Sequence, residues 1–163
     1  MRTVKTVLIT VLIAILIIVG IGAWKLYSSN TVYQNQAAAT ALKKAKQSYI
    51  FDHVKSVTSF NGTDAYQVIQ AKRNGNKMYI WVPDHPKKAP FIERAASSGI
   101  TEKQAMQKLA DQRLDVKKII SVRLGAIKGN PVWEITFLNS KNSYNYVSFY
   151  FDNGKEAQRI LSL

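Results

Sequence analysis

The sequence predicts an α+β protein in which an N-terminal transmembrane helix is followed by two tandem units, each a helix packed on a three- to four-stranded antiparallel sheet. Three observations predict it. The chain opens on one long uncharged run, the order helix then strands occurs twice beyond residue 36, and the strands are joined by Asn-Gly and Asp-Asn-Gly turns of hairpin type. A chain of 163 residues has room for one ordinary domain, or for two very small ones beside a membrane segment.

The first element is "MRTVKTVLITVLIAILIIVGIGAWK", in which the 19 residues from Thr6 to Trp24 carry no charge. At about 1.5 Å per residue such a helix matches the roughly 30 Å hydrocarbon core of a bilayer. A cleaved signal peptide is the competing reading, but the apolar run exceeds the usual length of about 7 to 15 residues and no A-x-A-like site follows. An uncleaved anchor is therefore expected. The positive-inside rule keeps Arg2, Lys5 and the amino terminus in the cytoplasm, with Trp24 and Tyr27 at the outer membrane interface and the C-terminal domains extracellular. Lys25, Lys43, Lys44 and Lys46 also lie near the run, which leaves the reverse orientation open.

Residues 26–36 read as a polar juxtamembrane linker. In residues 37–90, the first unit, Ala38, Ala41, Leu42, Ala45 and Tyr49 recur at helical spacing. Strands then follow at "VKSVTSF", "AYQVIQAK" and "KMYIWV", the last two joined by the hairpin-type turn "RNGN". "PDHPKKAP" is the best linker in the chain, and "FIERAASS" is read as a short helix belonging to either side.

Residues 91–163 form the second unit. Its helix is marked by Thr101 followed by Gln104, a capping box, with Ala105, Met106, Leu109 and Ala110 as the apolar stripe. Strands follow at "VKKIISVRLGAI", "VWEITFL" and "YNYVSFYF", and "EAQRILSL" ends the chain as a strand or helix. Strand positions match as well: Tyr66 and Val68 with Trp133 and Ile135, and Met78, Ile80 and Val82 with Val147, Phe149 and Phe151.

"TEKQAMQKLA", "GNPVWEITF" and "FYFDNGK" together resemble the PepSY pattern of a capped helix, a strand opening Gly-x-Pro-aromatic-Glu, and a last strand closing in an Asp and Gly turn. With the N-terminal apolar run and the degenerate first copy, the whole chain resembles the YpmB/TseB-like family of membrane-anchored cell-wall elongation regulators of Gram-positive bacteria. The resemblance implies tandem cystatin-like modules outside the membrane and association with a penicillin-binding protein. The first copy departs from the pattern, with Asp64 and Ala65 where the second has Asn130 and Pro131, and no Glu after Tyr66.

The residues argue against catalysis. There is no Cys, hence no disulfide, thiolate nucleophile or thiolate metal site. His53 and His85 each follow an Asp, but neighbours on a strand point to opposite faces, and no zinc-type spacing accompanies them. No nucleophile elbow or phosphate-binding Gly loop occurs, and Glu134 and Asp152 are explained by a strand's outer face and a turn. No enzyme, cofactor or metal is expected. "NGT" at Asn61 matches a glycosylation acceptor and reads more simply as a β-turn.

Binding is the remaining class. If Val147, Phe149 and Phe151 face the helix, Tyr144, Tyr146 and Tyr150 fall on the opposite face, as Tyr79 and Trp81 do in the first unit. These five aromatics are candidates to grip a partner, or else they pack between the units. The 23 basic against 10 acidic residues favour acidic partners, an anionic wall polymer among them, whereas nucleic acid is not expected. The sequence thus predicts a non-catalytic binding protein that regulates cell-wall elongation through a penicillin-binding protein. The alternatives are a PepSY-like inhibitor or chaperone of a secreted peptidase, and a cell-wall polymer-binding module.

Overall fold

The computed structural model describes residues 2–162; within the first helix, the side chains of residues 2–11, 14, 23 and 26–31 lie outside the description. Two compact bodies are present, Met1–Ala37 and Ala38–Leu163.

The first body is helical throughout its described residues, as part of α1 (Arg2–Ser48). The expected transmembrane helix is not supported: among the described residues no helix is long and apolar enough to cross a membrane. The apolar run is not a separate element. It continues without a break into the polar sequence "SSNTVYQNQ" of the same 47-residue helix. The reading of Trp24 and Tyr27 as membrane-interface residues loses its basis with it; the Trp24 side chain is exposed, and that of Tyr27 lies outside the described side chains.

The second body holds two four-stranded antiparallel sheets, each in sequential order. The first comprises β1 (His53–Asn61), β2 (Ala65–Arg73), β3 (Asn76–Pro83) and β4 (Ile92–Ala95). The second comprises β5 (Lys118–Ile127), β6 (Asn130–Leu138), β7 (Tyr144–Tyr150) and β8 (Glu156–Ile160), preceded by α2 (Glu102–Asp111). Residues 92–95 are a strand rather than the expected helix, because Ile92 pairs with Trp81 and Arg94 with Tyr79. Only residues 96–98 turn helically, as one 3-10 turn. "PDHPKKAP" is therefore a connection within the first sheet, between β3 and β4.

Local chemistry sets these elements. Asn74 and Gly75 both have positive φ, 49° and 78°, the type I′ geometry that suits a two-residue hairpin, and Lys128 and Gly129 repeat it at 49° and 74°. The Thr101 side chain accepts from the Gln104 backbone and Gln104 accepts from the Thr101 backbone, closing the capping box at the start of α2.

The duplication extends to an irregularity. Register shifts between Val54 and Ser56 on β1, and between Ile119 and Ser121 on β5, place a bulge early in the first strand of each sheet. Pairing also corrects the sequence correspondence. Ile69 lies opposite Val57 and Ile80, and Ile135 lies opposite Val122 and Val147, so Ile69 corresponds to Ile135 and Ile80 to Val147. Tyr66 and Val68 are not the counterparts of Trp133 and Ile135. A shift of one residue moves a strand's side chains to the other face, and these two lie on the face away from α1.

Each sheet has a helix-facing side. Ala41 and Ala45 of α1 pack with Ile69, Ala71, Met78, Ile80 and Val82. In the second sheet, Ala105 and Leu109 of α2 share a core with Trp133, Ile135, Val147, Phe149 and Phe151. The same core takes in Tyr66, Val68, Tyr79 and Trp81 from the first sheet's other face. The units are thus joined head to tail: the far face of the first sheet is covered by the second unit, and among the described residues of this body no further module packs on the far face of the second sheet.

Candidate binding face

The five predicted aromatics separate into two groups. Tyr79 and Trp81 are buried at 5% and 0% exposure, so neither is available to a partner in this fold. Tyr79 makes edge-on contacts with Trp81, Trp133 and Phe151, at centroid distances of 6.0, 6.4 and 5.8 Å. Such geometry suits ring quadrupoles, and each fully buried side chain of this size contributes about 1.5 to 3 kcal/mol. Their role is to hold the units together. Tyr144, by contrast, is 47% exposed, and Tyr146 and Tyr150 are half-buried on the open face of the second sheet.

Strand register orders that face into rows. Thr136 lies opposite Tyr146, and Tyr146 opposite Ile160. In the next row Arg123, Glu134, Ser148 and Gln158 lie opposite one another across all four strands. Arg123 donates to the Glu134 carboxylate at 3.0 Å, and its guanidinium sits 6.0 Å from the Phe60 ring centroid. The turn between β1 and β2 stands beside these rows, and between them lies an open groove of about 450 Å³. Asn61 and Thr63 of the turn face Tyr146, Ser148 and Gln158 across it.

The sequence reading missed this row. Alternation along β6 and β7 is enough to place Glu134 and Ser148 beside Tyr146. Adding Arg123 and Gln158 requires the bulged register of β5 and the pairing of β8, neither of which is visible in local patterning.

The other candidate residues are dispersed. His53 begins β1 opposite Lys72, whereas His85 lies in the β3–β4 connection, where its carbonyl accepts from the Lys88 and Ala89 backbone. Among the described residues no group of three or more His, Cys, Asp or Glu side chains could hold a metal. Asp152, in the turn after β7, receives Arg94 at 2.9 and 3.2 Å, which holds the guanidinium pKa above its ordinary value. The glycosylation-like Asn61 is the last residue of β1 and is exposed at the groove.

Comparison with known proteins places this architecture. The family described as "Cell wall elongation regulator TseB-like domain" matches residues 40–83, which run from the end of α1 through β3. The "Probable cell wall elongation regulator TseB" of Bacillus subtilis (strain 168) is 30% identical over 159 residues, covering 96% of this chain and 97% of that protein. The chain belongs to the TseB-like family. A solved structure, the YpmB protein from Bacillus subtilis, superposes with a TM-score of 0.69 at 31% identity, covering 75% of this chain and 94% of that one. The family match stops at β3, whereas the likeness to the TseB relative runs through the second sheet and its open face.

Proposed function

We propose that this TseB-like chain is a non-catalytic binding protein that regulates cell-wall elongation by docking a penicillin-binding protein on the outer side of the cell membrane. The observation that carries the reading is near end-to-end similarity to a probable cell wall elongation regulator. The uncovered face of the second sheet supplies a surface. Tyr144 and Tyr150 bracket it, and Tyr side chains offer apolar area with a polar tip, a combination enriched at protein interfaces. Regulation then needs no chemistry, only occupancy that biases where or how fast the synthase works.

The test is affinity purification after crosslinking in intact cells, comparing the native chain with Tyr144→Ala/Tyr150→Ala. Recovery of a wall synthase that falls several-fold in the variant supports the reading. Recovery of no synthase with either chain, or equal recovery with both, overturns it.

A second reading, binding of an anionic wall polymer, is favoured by one feature of the first sheet. Lys72 lies directly opposite Lys77, although like charges in cross-strand positions repel. A polyanion would relieve that repulsion, and its binding would weaken steeply with salt.

A further inference from the structure

The open groove beside the β1–β2 turn has a counterpart inside the protein, and the difference between the two indicates its ligand. In the first sheet, the row corresponding to Arg123, Glu134, Ser148 and Gln158 is Thr58, Val68, Trp81 and Ile92. That row is largely apolar and is covered by the second unit. At the same row the second sheet is polar throughout. At that row the groove does not suit the apolar contact that closes the seam: a side chain seated there would desolvate an ion pair and a carboxamide, a cost the first sheet avoids, whereas Tyr144 and Tyr150, which do not line the groove, remain available on the same face.

The donors and acceptors suit a smaller, polyhydroxylated occupant. Among the described residues Arg123 and Glu134 are the charged groups lining the groove, and their pairing leaves it without a net charge to draw a phosphate or a free cation. The Arg123 guanidinium has five N–H donors, and the planar Glu134 carboxylate retains acceptor capacity beside them. Paired planar donors and acceptors of this kind suit adjacent hydroxyl groups. Gln158 adds an exposed carboxamide, Asn61 another from the facing turn, and the Tyr146 ring with Ile160 supplies an apolar patch against which a sugar's C–H face packs. At about 450 Å³ the groove falls within the range of small-ligand sites, about 300 to 1,000 Å³.

We propose that this groove is a saccharide subsite that takes a segment of a glycan strand carrying acetamido groups. The apolar patch receives the acetyl methyl while Gln158 and Asn61 bond the amide. Acetamido sugars are preferred over plain hexoses on the strength of the wall-related function proposed above; the saccharide class itself rests on the groove alone.

The experiment titrates the full-length purified chain with a tetramer of N-acetylglucosamine, read by saturation-transfer NMR, with a glucose tetramer as the comparison sugar. Two variants are made at exposed positions to avoid unfolding: Gln158→Ala, which removes a donor, and Thr63→Trp, which fills the groove from the turn. Saturable binding of the acetamido tetramer, at least tenfold weaker for the glucose tetramer and at least tenfold weaker in both variants, is expected. Absence of saturable binding, equal binding of the two sugars, or binding unchanged in the variants overturns the proposal. No synthase is present in this experiment, so its failure is distinct from failure of the docking reading.

Discussion

The indole nitrogen of Trp81 donates to the carbonyl oxygen of Gly125 at 2.8 Å, a buried hydrogen bond that runs from the first sheet to an edge strand of the second. The Phe60 ring lies against the same glycine, so closely that a Cβ added there would come within 2.3 Å of it. By strand register Gly125 is the counterpart of Phe60 itself. One copy of the repeat supplies the ring and the other supplies the space for it.

Gly125→Ala is therefore expected to destabilise the protein by about 1 to 3 kcal/mol, the usual cost of forcing extra volume into a packed seam. With Phe60→Ala in the same chain, Gly125→Ala should cost less than it does in the native chain, because the clashing Cγ, Cδ2 and Cε2 atoms of the ring are removed. Urea unfolding of the two single variants and the double variant measures the coupling. Strict additivity would show that the ring and the glycine do not meet.

Tyr66 is fully buried, and its hydroxyl has no hydrogen-bond partner. Tyr66→Phe should leave stability unchanged or raise it by about 1 kcal/mol, since an unsatisfied buried hydroxyl is costly. Burial, reinforced by Asp64, also pushes the Tyr66 pKa above 10.0. Its neutral form is favoured in the fold, so the associated stability is present below the ordinary tyrosine pKa and is lost as pH rises towards the raised value. The alkaline loss of stability should be smaller in Tyr66→Phe. A destabilisation of about 1 kcal/mol or more would mean the hydroxyl is paired.

Glu156 sits at the start of β8, where hydrogen bonds from Arg159 first, and then from Gln112, hold its carboxyl below the ordinary glutamate value. A lowered folded-state pKa contributes stability above the unfolded value and loses it as pH falls through the folded one. The native chain should therefore exceed Glu156→Gln in stability near neutrality, with the gap closing at acid pH. Unfolding midpoints at a series of pH values test this. A constant gap would contradict it.

The legible parts of the fold were those written in local patterns. Thr101 with Gln104 marked the α2 start, Asn74-Gly75 marked a hairpin, and the alternation of Val147 and Phe149 marked the buried face of β7. What depended on pairing was harder to see. The single-residue offset that puts Ile69 rather than Val68 on the helix side follows from register, which alternating apolar residues on both faces of β2 conceal. Tyr79 and Trp81 look like open-face aromatics for the same reason that Tyr144 and Tyr146 do. Only the head-to-tail joining of the units separates seam from surface. The apolar run near the amino terminus misled in another way: it reads as a membrane span, yet among the described residues no helix is long and apolar enough to cross a membrane.

On the function proposed above, the uncovered face of the second sheet is where this TseB-like chain meets the wall-synthesis machinery. The most direct measurement places a photo-crosslinking side chain at Tyr144 in growing cells, with a second chain carrying it at Lys103, an exposed position on α2, for comparison. A crosslinked wall-synthesis protein is expected from position 144 and little or none from position 103. Equal yields from the two positions, or a synthase captured only from α2, would contradict it.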